Sequence, residues 1–159
     1  MEIPRGIGLN SLLKENIFAM IICVLNKIPL FIVGKPGSSK SLAISLVSKS
    51  FKGLGSRSEF FKKFPSIFSL MYQGSEQSTS AGIKKVFDSA IKKQDHMDKN
   101  RADQEMIALV ILEEIGLAEI SPYNPLKVLH ELLENPRVAA IGISNWALDA
   151  SKRNRAINL

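Results

Sequence analysis

A chain of 159 residues, 45% of them hydrophobic, carries enough apolar side chain for the core of one domain and too little for two independent ones. Its 21 Lys and Arg against 15 Asp and Glu leave a net charge of +6, which suits a phosphate-bearing partner; yet Lys62-Lys63, Lys84-Lys85 and Lys92-Lys93 sit among apolar residues at helical spacing, the pattern of solvated helix faces, and no nucleic-acid-binding signature accompanies them. The single Cys23 excludes an internal disulfide and reads as a small buried residue of a cytoplasmic protein; the apolar run 17–25 is too short for a transmembrane segment, which needs about 20 residues, and lacks a small-residue cleavage pattern.

The apolar spacing predicts a helix over residues 11–26, capped by Asn10 or Ser11, with Leu9, Leu12, Leu13, Ile17, Met20, Ile21 and Val24 as its apolar face. Pro29 ends it. Leu30–Val33 is apolar throughout, as a central parallel strand covered on both faces should be, and a helix over 40–50 follows the glycine- and serine-rich turn. After a loop at Gly53 and Gly55, residues 67–72 read as a second strand with Phe60, Phe61 and Phe64 packing beneath it. A polar loop over 74–80 caps a helix expected over 81–93, and the almost wholly polar residues 94–104 are expected to form a mobile surface loop. Residues 106–112 give a third strand, 125–133 a short helix, 138–143 a fourth strand and 147–157 a last helix, with Trp146 read as core packing. Strands separated by helices in this way predict an α/β fold in which helices flank a parallel sheet in three layers.

The chemistry begins at Gly34-Lys35-Pro36-Gly37-Ser38-Ser39-Lys40-Ser41. A P-loop, or Walker A motif, is written G-x-x-x-x-G-K-[ST] because backbone N–H groups curl around phosphates, a lysine reaches the outer ones and a hydroxyl ligates Mg²⁺. Ser39 stands where that pattern has its second glycine, but the strand entering and the helix leaving the loop are the context the motif requires. The second element is the pair Glu113-Glu114, ending an apolar strand as a Walker B motif does. Ligands of open parallel sheets gather at such strand ends, where one carboxylate can support the water shell of Mg²⁺ and the other can deprotonate an attacking water. Asn145, after the fourth strand, can place that water against a γ-phosphate or serve only as a turn former. Arg153 and Arg155 can reach a neighbouring subunit's nucleotide or merely complement a helix C-terminus.

This order of P-loop, carboxylate-ended strand, asparagine-ended strand and terminal arginine resembles the AAA+ ATPases. Gly34-Lys35-Pro36-Gly37-Ser38-Ser39-Lys40-Ser41-Leu42-Ala43, Tyr72-Gln73-Gly74-Ser75-Glu76-Gln77-Ser78-Thr79-Ser80, Glu114-Ile115-Gly116-Leu117-Ala118-Glu119 and Gly142-Ile143-Ser144-Asn145-Trp146-Ala147-Leu148-Asp149 are similar to one branch, the mysterin family of giant RING-finger ubiquitin ligases built on a dynein-like AAA+ array. The resemblance covers nearly the whole chain. It implies an AAA+ large subdomain that binds ATP and Mg²⁺ through residues 34–42, Leu42 included, with Lys40 on the β- and γ-phosphates and Ser41 and Glu113 on the metal. It further implies Glu114 on the catalytic water, Asn145 as γ-phosphate sensor and Arg155, with Arg153 second, acting in trans on a neighbouring AAA+ unit. Glu113 departs from the aspartate usual in that family. Such cores have five parallel strands in the order 5-1-4-3-2, then a helical lid. Four strands are visible in the sequence, so the single domain is expected to be truncated before the fifth strand and the lid, with the P-loop strand left at the sheet edge. With one cysteine and no zinc-binding set, ubiquitin transfer is not expected of this chain alone. Two functions follow: a hydrolase module turning over ATP when neighbouring units complete its site, or a non-hydrolysing, ATP-bound structural or switch module. A small P-loop kinase is disfavoured, because Glu114 and Asn145 suit water activation.

Overall fold

The computed structural model describes residues 6–100, 105–146, 148–149 and 156–159. Helix α1, Ser11–Leu25, begins where the Asn10 side chain accepts a hydrogen bond from Leu13 N at 2.8 Å, a cap whose loss typically costs about 1 kcal/mol. Leu13, Ile17, Met20, Cys23 and Val24 form its buried face, whereas Leu9 and Leu12, expected on that face, are exposed. Strand β1, Leu30–Val33, leads through the loop to α2, Lys40–Ser50. Strand β2, Ser66–Gln73, follows a segment in which Phe61 and Phe64 stack against Phe51; Phe60 lies on the outside, 59% exposed.

Helix α3 runs Ser80–Asn100, well past the polar boundary at residue 94 where a loop was expected. The cause is tertiary: Gln94 is buried, its amide donating to the Met106 carbonyl and to Asp98 while its oxygen accepts from Ala108 N. The next residue, Asp95, pairs with Arg137 at 2.6 Å. Polar side chains thus hold the helix to strand β3, Met106–Glu113, and to the segment that leads into the fourth strand. A short helix not foreseen in the sequence, α4, Ile115–Glu119, comes next. The helix expected over 125–133 is a 3₁₀ turn, Pro125–Val128, running into α5, Leu129–Glu134. Strand β4 is Ala139–Ser144.

Of the helix expected over 147–157, residues 147 and 150–155 lie outside the described residues, and its last residue is not helical. Ile157–Asn158 is a fifth strand, β5, parallel to β1: Ile157 N donates to Pro29 O, Leu159 N to Phe31 O, and Val33 N to Leu159 O. The order β2-β3-β4-β1-β5 therefore places the P-loop strand inside the sheet, not at its edge, and corrects the count of four strands and the expected truncation before the fifth. Two residues with exposed side chains carry no hydrophobic pattern to announce a strand; they pair through backbone groups that β1 would otherwise leave unsatisfied.

Side-chain alternation divides the core into two layers. Leu30 and Ile32 of β1, Leu109 and Ile111 of β3, and Ile141 and Ile143 of β4 pack against α1 and α2. Phe31, Ala108, Val110, Leu112 and Ala140 face α3, α4 and α5. Gly142 belongs to the second layer because the Phe31 ring occupies the space its Cβ would need. All strand pairs are parallel, so their C-terminal ends share one rim, and Val33 lies opposite Ser144.

Candidate functional site

At that rim the chain leaves β1 and folds tightly on itself. Gly34 N donates to the Ser144 carbonyl at 3.1 Å, and a Cβ at Gly34 would fall 2.9 Å from Ser38 Oγ, so a side chain there would displace the Ser38 hydroxyl. Gly37 takes a φ of +83° and Ser39 one of 62°. The substituted glycine position is thus left-handed, and a serine there costs about 1 kcal/mol. Its carbonyl starts α2 by accepting from Ala43 N at 2.9 Å.

Lys40, first residue of α2, is only 7% exposed. Its ammonium donates to Gly34 O at 2.5 Å, Lys35 O at 3.0 Å, Ser38 Oγ at 3.0 Å and Asn145 Oδ1 at 3.1 Å. Four acceptors compete for three N–H bonds, and all four are neutral. Burial pushes the Lys40 pKa below its ordinary value; the negative charge of Glu114 opposes that shift without cancelling it. The site is a positive charge partly stripped of water and tied only to neutral oxygens, a condition that favours an incoming anion.

Asn145, just past β4, also donates from Nδ2 to Glu114 Oε1 at 2.7 Å and Oε2 at 2.9 Å. The amide orientation follows from its neighbours: a flipped Asn145 would set its NH₂ against the ammonium and its carbonyl against the carboxylate. Three residues remote in sequence thereby form one line, Lys40 to Asn145 to Glu114. Glu114 follows β3 with a φ of 48° and ψ of 41°. This left-handed step takes it off the strand's alternation, and it joins residues 36–42 and 143–145 around a cavity of about 310 Å³. Gly74, whose N–H donates to Glu113 O at 2.7 Å, packs so closely on the Glu114 carbonyl that a side chain would overlap it.

Of the residues predicted from sequence, Pro36, Gly37, Ser38, Ser39, Lys40, Ser41, Leu42, Glu114 and Asn145 line this cavity. Gly34 and Lys35 stand behind it and supply carbonyls to Lys40. Glu113, half-buried at the end of β3, is not part of the lining; the alternation puts it on the α2 side of the sheet. Arg153 and Arg155 lie outside the described residues. Trp146, expected in the core, is 44% exposed beside Asn145. The helix α4 was not foreseen from sequence; the glycine at position 116, among Ile115, Leu117 and Ala118, was the available signal.

A parallel sheet ordered β2-β3-β4-β1-β5, flanked by helices and bearing a P-loop on β1, defines the large subdomain of a P-loop NTPase of the AAA+ type. The chain belongs to the RNF213 AAA domain family, whose model matches residues 6–159. It is 43% identical to the E3 ubiquitin-protein ligase RNF213 of Homo sapiens over 167 aligned positions, and 44% identical to the E3 ubiquitin-protein ligase rnf213-beta of Danio rerio over 168; each alignment covers 99% of this chain. The chain spans about 3% of the length of these curated relatives. Among solved structures, that of C. elegans PCH-2 aligns with 94% of this chain and 39% of its own at 19% identity, with a TM-score of 0.44.

Proposed function

We propose that this chain binds ATP with Mg²⁺ and hydrolyses it as one module of an AAA+ protein of the mysterin type. The observation that carries this reading is the line from Lys40 through Asn145 to Glu114 across the mouth of the P-loop cavity. In the proposed reaction the N–H groups of the loop 34–41 cradle the phosphates, and Lys40 exchanges its carbonyl and hydroxyl acceptors for oxygens of the β- and γ-phosphates. Asn145 then turns its amide to the γ-phosphate. That releases the Glu114 carboxylate to orient the attacking water and take its proton. Arg155 is assigned to the γ-phosphate in a neighbouring AAA+ unit, with Arg153 as its alternative.

Ser41 and Glu113 offer the oxygen donors a magnesium ion takes: Ser41 lines the cavity at the start of α2, and Glu113, outside that lining, ends β3, which β4 separates from β1. Among the described residues no group of three His, Cys, Asp or Glu side chains could form a protein cage. This suits an ion that keeps several waters and completes its shell with substrate phosphates. Ser41 would ligate it directly and Glu113 through its water shell; when bound it neutralises charge on the β- and γ-oxygens.

The RNF213 relatives are named as ubiquitin ligases, and we assign ubiquitin transfer to none of these 159 residues, whose single cysteine cannot build a zinc-held RING. No described helix is long and apolar enough to cross a membrane. With the one cysteine buried and free, a cytoplasmic location is proposed.

Phosphate release from Mg·ATP, measured on the full chain and on Glu114→Gln alongside calorimetric affinities, tests the reading. The variant should bind ATP as the wild type does and release phosphate about 10²- to 10⁴-fold more slowly. One observation favours a non-hydrolysing switch instead: both Glu114 carboxylate oxygens already accept from Asn145. Equal, slow release by the two proteins with undiminished ATP binding would decide for the switch.

A further inference from the structure

We infer that Gly116 and Trp146 are positioning residues that fix Asn145 against Glu114, an inference that rests on the nucleotide-binding reading above. Asn145 is the middle residue of a turn whose ends are pinned. On one side Ser144, 2% exposed, accepts from Gly34 N through its carbonyl, while its hydroxyl donates to the Trp146 carbonyl at 2.6 Å and accepts from Trp146 N at 3.3 Å. On the other side the Trp146 indole lies on Gly116, two residues beyond Glu114 in α4. A Cβ at Gly116 would stand 2.5 Å from both Trp146 Nε1 and Ser144 Oγ.

A glycine inside a helix is disfavoured relative to alanine, and Gly116 is not among the glycines whose positive φ requires that residue. Space is therefore its reason. The same close contact joins α4, which follows directly on Glu114, to the turn that carries Asn145, so the 2.7 Å bond between the Glu114 and Asn145 side chains is set by a packing contact outside the cavity. Trp146 contributes little by burial, being 44% exposed, and can be truncated without opening a core void. A methyl group at position 116 has to push the indole and the Ser144 hydroxyl aside, and Asn145 moves with them.

The test is a double-mutant cycle on the full chain, reading affinities for Mg·ATP and Mg·ADP by calorimetry. Asn145 meets only the γ-phosphate, so Gly116→Ala should lower the preference for ATP over ADP by about tenfold, the factor carried by one weakened hydrogen bond to a charged oxygen, and leave ADP affinity unchanged. In a Trp146→Ala background the added methyl group meets the Ser144 hydroxyl alone, and its effect should shrink to about threefold on the same hydrogen-bond scale. An unchanged preference, an equal fall in both affinities or the same loss in both backgrounds would overturn the inference. Should Gly116→Ala fail to fold, Trp146→Ala alone should lower the preference severalfold, and a wild-type preference in that variant overturns it. Wild-type protein that binds neither nucleotide defeats the underlying reading, an outcome distinct from normal binding with no effect at position 116.

Discussion

Replacing Lys40 by methionine removes the ammonium and keeps an unbranched stem of similar length. Lys40 is 7% exposed, and the desolvation of its ammonium, visible in the lowered pKa, offsets the four hydrogen bonds to neutral oxygens. Loss of the bonds and relief of the desolvation act in opposite directions, so unfolding stability should change by no more than about 1 kcal/mol. Binding behaves differently. The ammonium's bonds to neutral oxygens are already charge-assisted, so exchanging two of those acceptors for phosphate oxygens gains the added charge–charge attraction, about 1–1.5 kcal/mol per contact at a site open to solvent, or about 2–3 kcal/mol in all. Lys40→Met should therefore weaken Mg·ATP affinity by about 30- to 150-fold. Calorimetry gives the affinity and urea denaturation the stability. A dissociation constant within about threefold of wild type would refute the exchange argument, since a factor of ten is about 1.4 kcal/mol; a large loss of stability would show instead that the lysine braces the loop.

The lowered Lys40 pKa gives a pH dependence of definite sign: phosphate binding stabilises the protonated amine and takes up a proton, so affinity is full at pH values below the free-site pKa and falls as pH rises through it, beginning below the ordinary 10.5. Calorimetry across alkaline pH, with Lys40→Met as the flat control, checks this. Gln94→Leu leaves the Met106 carbonyl and Ala108 N–H without their side-chain partner and should destabilise the fold by about 1–3 kcal/mol in urea melts. Hydrogen exchange should accelerate over the C-terminal half of α3 in the same variant. Gly142→Ala drives a methyl group into the Phe31 ring and should cost about 1–3 kcal/mol, much of it recovered in a Phe31→Leu background.

Both the strand-turn-helix around Lys40 and the acid-ended strand at Glu113-Glu114 were legible in the sequence because their signals are local. Four successive apolar residues can only be covered on both faces, and a lysine and hydroxyl after a glycine-rich turn mark the loop wherever it occurs. Residues 94–100 misled for the opposite reason: their polarity describes a loop in isolation, whereas Gln94 is hydrogen-bonded from the side by β3. Trp146, which the sequence suggests for the core, has its indole beside Gly116 at the rim of the sheet and is 44% exposed.

Hydrophobic period and turn chemistry act over a few neighbouring residues, and they suffice for the parallel α/β layering, the P-loop pattern and the candidate residues at the strand ends. Tertiary structure alone decided that Ile157–Asn158 closes the sheet beside β1 and that Asn145 bridges Lys40 and Glu114. It also decided that Glu114 leaves its strand in a left-handed step, with Gly74 packed against it. Each of these contacts joins segments far apart in the chain, and its geometry exists only once the sheet has brought those segments to a common rim.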